Sequence, residues 1–154
     1  MEKTNVMRIL DKLNISYKSY SYDRAETNGE KVAILLKEDP NKVFKTLVTV
    51  SNNNEHYVFM IPVSFELDLK KASLSAGVKS IEMIKQKDLL PLTGYIHGGC
   101  SPIGMKKVFP LFIDESVELN DTIFFSAGKV GYQVEVNVED FFKITKAKTC
   151  DLTK

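Results

Sequence analysis

The chain has 154 residues, 44% of them hydrophobic and 27% charged, with 21 Lys and Arg against 20 Asp and Glu. That balance fits a globular chain with one sizeable core, and it excludes a disordered or indiscriminately nucleic-acid-binding protein. No apolar run approaches the ~20 residues of a bilayer span, and MEKTNVMRILDKLN lacks the layout of a secretory signal, so a cytoplasmic protein without a membrane partner is expected.

Val6, Ile9, Leu10 and Leu13 recur at helical spacing, and Thr4 or Asn5 can cap the start, so the first helix is predicted over 4–13. Residues 17–22 alternate as a strand does, with Tyr20 and Tyr22 on one face. Thr27-Asn28-Gly29 punctuates, and a second helix continues through Val32 to Leu36. Asp39-Pro40 predicts another helix start, because proline in a first turn forfeits no hydrogen bond. TLVTVSNNNEHYVFMIP reads as a hairpin of β-branched and aromatic strands around an Asn-rich turn. Asp68 to Ala76 predicts a helix capped by Asp68 and stopped at Gly77. A short strand over 80–83 and a helical turn over 85–90, ended by Pro91, follow. Three strand-like runs, LFID, TIFFSA and YQVEV, precede a last helix opened by Asn137 with Glu139 and Asp140 and closed by lysines. The order implies an α+β fold, a mixed sheet flanked by helices, in one domain over 1–154.

The segment from Thr93 to Asp114, TGYIHGGCSPIGMKKVFPLFID, interrupts this pattern. Gly94, Gly98, Gly99 and Gly104 with Pro102 cannot form a helix interior or a central strand. They can bring backbone N–H and C=O groups close to a ligand. SAGKVGYQVEV supplies a second tight turn, with Gly128 and Gly131 around Lys129. Lys45 opens the strand KTLVTV, where its ammonium either snorkels to water or enters a cleft. Spacing alone does not show that these three features converge.

Other chemistries are weakly represented. Cys100 lies three residues after His97, but a thiol nucleophile needs an oriented imidazole within hydrogen-bond reach, and a lone cysteine beside a glycine turn reads more simply as apolar filling. Cys100 and Cys150 make no disulfide framework, and no HxxxH or CxxC spacing suggests a metal. Phosphate-loop and dinucleotide fingerprints are absent, and His56 is expected to be exposed. Basic pairs such as Lys70-Lys71 and Lys106-Lys107 are either solvated faces or local patches for an anion.

Taken in order, YDRAETNG, VFKTLV, LDLKKASLSAG, the Thr93–Asp114 segment, SAGKVGYQVEV and DFFKIT resemble the YbaK/EbsC family of trans-editing aminoacyl-tRNA deacylases, most closely its Cys-tRNA(Pro) branch. The resemblance implies a mixed, barrel-like sheet wrapped by helices, the fold of the prolyl-tRNA synthetase editing domain. It implies hydrolysis of the ester in a mischarged tRNA, chiefly cysteine on tRNA(Pro), with prolyl-tRNA synthetase as a partner and no cofactor or metal. It makes Lys45 the catalytic residue and places Tyr20, Thr46, Gly98, Gly99, Ser101, Pro102, Ser126, Gly128 and Gln133 around the substrate, with an acid in the place of Gln133 in some members. It also implies that the substrate's own thiol is the nucleophile, closing a thiolactone. Asn28 adjoins Gly29 directly, where many relatives insert an aromatic residue, and Cys100 stands where an aliphatic residue is usual. The alternatives are a water-using Ala- or Ser-tRNA deacylase, a Cys100 thiol hydrolase, and a non-catalytic module that binds tRNA or synthetase.

Overall fold

The structure, a computed structural model, describes residues 2–23 and 26–154. Helix α1 (Asn5–Lys12) leads through β1 (Tyr17–Ser21) and α2 (Gly29–Leu36) to the hairpin β2 (Phe44–Ser51) and β3 (His56–Pro62). Next come α3 (Leu69–Ala76), β4 (Ile81–Met83) and α4 (Gln86–Thr93). After the glycine segment follow β5 (Leu111–Asp114), a 3-10 turn (Glu115–Leu119), β6 (Thr122–Ser126), β7 (Tyr132–Asn137), α5 (Val138–Thr145) and β8 (Lys148–Cys150).

Local chemistry accounts for most boundaries. Thr4, Asn28, Asp68 and Asn137 each accept an N–H of the first turn of their helix. Gly77 and Gly94 adopt the left-handed conformation that ends α3 and α4. Two expectations fail here. Asp39-Pro40 starts no helix, because the Asp39 side chain accepts from Asn41 N–H at 2.9 Å and its carbonyl from Lys42 N–H at 2.9 Å, closing a turn that feeds β2. Pro91 does not end α4 either. It sits within the helix, forfeiting one bond to the Lys87 carbonyl, and the helix continues to Thr93. Strand β8 is the third surprise: its three residues pair in parallel with β5, and its character comes from that partner rather than from its own pattern.

The expected mixed, barrel-like sheet is present as two sheets that meet. One is antiparallel, in the order β1-β7-β6; the other is mixed, in the order β4-β2-β3-β5-β8. They join where Val43 bridges Phe124 in parallel and Phe124 N–H donates to the Lys42 carbonyl at 2.9 Å. Helices α1 and α5 cover one face of the small sheet, burying Val6, Leu10 and Phe141 against Phe125, Val134 and Val136. A second cluster, Phe59, Ile61, Phe112 and Leu152, lies beneath α3. Among the described residues no helix is long and apolar enough to cross a membrane.

Candidate functional site

Where the two sheets meet, the start of β2, the ends of β6 and β7, the amino end of α2 and the glycine segment enclose a cleft of about 400 Å³. Its wall includes Lys45, Thr46, Gly98, Ser126 and Gln133, so five of the expected residues come together. Register explains part of this. Ser126 and Gln133 are direct cross-strand partners, so their side chains share a face of the small sheet. The β2 backbone crosses from that sheet into the other at the same level.

The polar groups in this wall are unusually free. Thr46 Oγ1 and the Oε1 of Gln133 are buried without a hydrogen-bond partner, and Gln133 is only 6% exposed. A buried, unpartnered oxygen costs about 1–3 kcal/mol, so two in one cleft point to a ligand that satisfies them. Lys45 is half-buried and makes no ion pair or hydrogen bond to the described residues. Burial lowers its ammonium pKa from 10.5, against a smaller opposing pull from Glu30 and Glu66. No carboxylate lines the cleft among the described residues.

The two glycine turns converge. Gly99 lies so close to the second turn that a Cβ on it would stand 3.1 Å from Val130 N. Tyr95 braces both: its hydroxyl donates to the Ile103 carbonyl at 2.5 Å, Gly104 packs on its oxygen, and Gly128 packs on its ring. Gly98 has φ +85°, and a Cβ there would lie 2.7 Å from Thr27 Cγ2, which forms the opposite lip. The N–H of Gly99 is committed to the Ile96 carbonyl at 2.9 Å, whereas those of Gly98 and Cys100 have no partner among the described residues.

The remaining expected residues stand outside the wall. Tyr20 shares the correct face of β1, but its hydroxyl donates to Glu135 at 2.8 Å and its ring packs on Phe124. Burial first, and then Glu135, push its pKa up to about 12. Tyr22, two residues on and at the strand's end, lines the cleft instead. The alternation that put both tyrosines on one face was legible; which of them clears the Glu135 contact was not. Gly99 and Gly128 serve the packing of the turns. Ser101 is fully buried and accepts from Ile103 N–H at 3.4 Å. Pro102 faces a separate apolar hollow of about 260 Å³ with Ile103 and Phe109. Thr27, Asn28, Gly29 and His97 are further lining residues.

Cys100 also touches the cleft, but burial pushes its thiol up to about 12 and no hydrogen bond joins it to His97 among the described residues. His56, half-buried rather than exposed, lies within 3.2 Å of the Thr49 carbonyl through Nδ1 and edges against Phe109. It lines a larger hollow of about 520 Å³ below β4 and α4 that holds none of the expected residues. Among the described residues no group of three or more His, Cys, Asp or Glu side chains is placed to hold a metal.

Fold and cleft together are those of an aminoacyl-tRNA editing domain: the family model of that description matches residues 24–144, and the chain belongs to this family. Over 154 residues it is 42% identical to the Enterococcus faecalis protein named "Putative Cys-tRNA(Pro)/Cys-tRNA(Cys) deacylase EbsC", covering 99% of this chain and 94% of the relative. Among solved structures, "a putative trans-editing enzyme for prolyl tRNA synthetase" matches with a TM-score of 0.81 at 21% identity, covering 90% of this chain and 87% of the other. The hypothetical protein APE2540 matches with a TM-score of 0.88 at 20% identity, covering 99% and 100%. At those identities the two structures establish the fold.

Proposed function

We propose that the protein is an aminoacyl-tRNA deacylase that hydrolyses mischarged tRNA in trans, with cysteine on tRNA(Pro) as its main substrate and prolyl-tRNA synthetase as a partner. One observation carries the reading. The cleft offers a desolvated cation and two unpartnered oxygens but no activated nucleophile among its described residues. Such a site can bind and polarise an ester, while the attacking group has to arrive with the substrate.

The thiolate of the esterified cysteine attacks its own carbonyl carbon. A C–S bond forms, the bond to the ribose 3′ oxygen breaks, and that oxygen leaves with a proton. The thiolactone then opens with water in solution. A free thiol of pKa ~8.5 is a few per cent thiolate at neutral pH, and holding it against the carbonyl can supply up to about 7–11 kcal/mol by positioning. The Gly98 and Cys100 N–H groups are the available donors to the oxyanion, each typically worth about 3–4 kcal/mol. Lys45 binds the terminal phosphate or the carbonyl and does not attack. Thr46 and Gln133 hold the amino-acid end through their free oxygens.

The deciding experiment measures release of labelled cysteine, alanine and serine from tRNA(Pro) and from their cognate tRNAs. Rapid release of cysteine alone is expected. Equal rates for all three would replace the substrate thiol by an activated water.

A further inference from the structure

At about 400 Å³ the cleft is of a size for one esterified nucleoside, so on the reading above the nucleotides before it leave across the rim. At His97 the rim is exposed, and Ile96, 54% exposed, and Gly94 are exposed near it, with Tyr95 between them buried in the core. The stem of Lys106 lies over Gly94, its Cγ 3.4 Å from where a Cβ would stand. Gly94 and His97 are three positions apart, a chain distance of at most ~11 Å. Lys107 and the fully exposed Val108 follow Lys106 in the chain and stand at the mouth of the separate hollow that Pro102 lines.

Two features bear on how this lysine pair can meet an anion. Neither lysine forms an ion pair with a described residue, so no carboxylate competes for either ammonium group. The loop that carries the pair is also fixed. Lys106 N–H donates to the Thr93 carbonyl at 3.0 Å, and Gly104, at φ +82°, packs on the Tyr95 hydroxyl that braces the cleft wall. The backbone that carries the two lysines therefore holds a set position relative to the cleft wall.

We propose that Lys106 and Lys107 bind the sugar-phosphate backbone of the acceptor strand as it leaves the cleft. The inference rests on the tRNA-ester reading above and adds the surface along which the RNA lies. A polyanion with regularly spaced phosphates suits two exposed, unpaired ammonium groups on a fixed loop, and releasing its counterions makes the contact strongly salt-dependent.

The test is the double substitution Lys106→Ala and Lys107→Ala. Binding of uncharged tRNA(Pro) by the full chain is titrated at several salt concentrations, and hydrolysis is followed on Cys-tRNA(Pro) and on 3′-O-cysteinyl-adenosine. Affinity for tRNA is expected to fall about tenfold at low salt, and the slope of log affinity against log salt to become shallower by about 1.4. KM for Cys-tRNA should rise, while turnover of the short ester and the melting temperature stay unchanged. Lys106→Arg with Lys107→Arg should restore binding. Unchanged tRNA affinity and salt slope would overturn the proposal, as would a defect seen only when the synthetase is present, since the lysines would then face a protein. If the unsubstituted protein cleaves neither ester, the deacylase reading fails, and the tRNA titration still decides the role of the lysines.

Discussion

Lys45 carries its charge into a cleft with no carboxylate in its described wall, so the fold bears the cost of burying it without a partner. Between its lowered folded pKa and 10.5 the unfolded chain binds more protons than the folded one, so stability rises with pH across that window. Below the window the burial penalty is fully present. Lys45→Met should therefore raise the melting temperature at neutral pH while abolishing deacylation, and a folded, fully active variant would remove Lys45 from the site. If turnover needs both the substrate thiolate and the Lys45 ammonium, the rate should climb towards pH ~8.5 and fall again below 10.5. Lys45→Arg should delete the falling limb. Cys100 obeys the opposite logic, because a thiol held near 12 is protonated at every working pH. Cys100→Val should change the rate by less than about tenfold, and a covalent acyl group trapped on Cys100 would reverse that assignment. Lys45 was legible because a cation opening an apolar strand is anomalous in itself, whereas Tyr22 was hidden because Tyr20 is chemically identical and differs only in its Glu135 partner.

The elements that build the wall depend on backbone shape more than on side chains. Gly98, with φ +85°, cannot take a Cβ without strain of about 1–2 kcal/mol and overlap with Thr27. The convergence of the two glycine turns was invisible along the chain, since it depends on Tyr95 packing against both Gly104 and Gly128. Tyr95→Phe removes the donor to the Ile103 carbonyl and should cost about 1–3 kcal/mol in denaturant unfolding. Because the loosened wall carries the proposed oxyanion donors, kcat should fall with it, and a variant equal to the parent in both measurements would show that the brace is not needed. The helices and the β2–β3 hairpin were legible from caps and alternation. Asp39-Pro40 misled because the Asp39 side chain closes the turn first, and Pro91 because the helix runs on past it at the loss of one hydrogen bond.

At the scale of the whole molecule, the cleft exists because two sheets meet at the Val43–Phe124 bridge, bringing β2 of one beside β6 and β7 of the other. That junction joins segments about eighty residues apart, and no local pattern encodes it. A site assembled this way supplies a shaped, partly dry space, and among its described residues the wall holds no general base beyond the exposed His97 at the rim. If the substrate's thiol drives the chemistry, selectivity becomes a property of the reaction as much as of the pocket. Alanine and proline esters of similar size would then enter and find nothing to attack them, and serine would offer only a hydroxyl, which yields almost no alkoxide near neutral pH. S-methyl-cysteinyl-tRNA(Pro) should accordingly bind and persist, while Cys-tRNA(Pro) is cleared and an early thiolactone is intercepted by a thiol-reactive or amine trap. Serine release from the same tRNA should be slower by orders of magnitude. Cleavage of the S-methyl ester at the rate of the free thiol would require a water activated by the protein, and His97 would then be the side chain to substitute first.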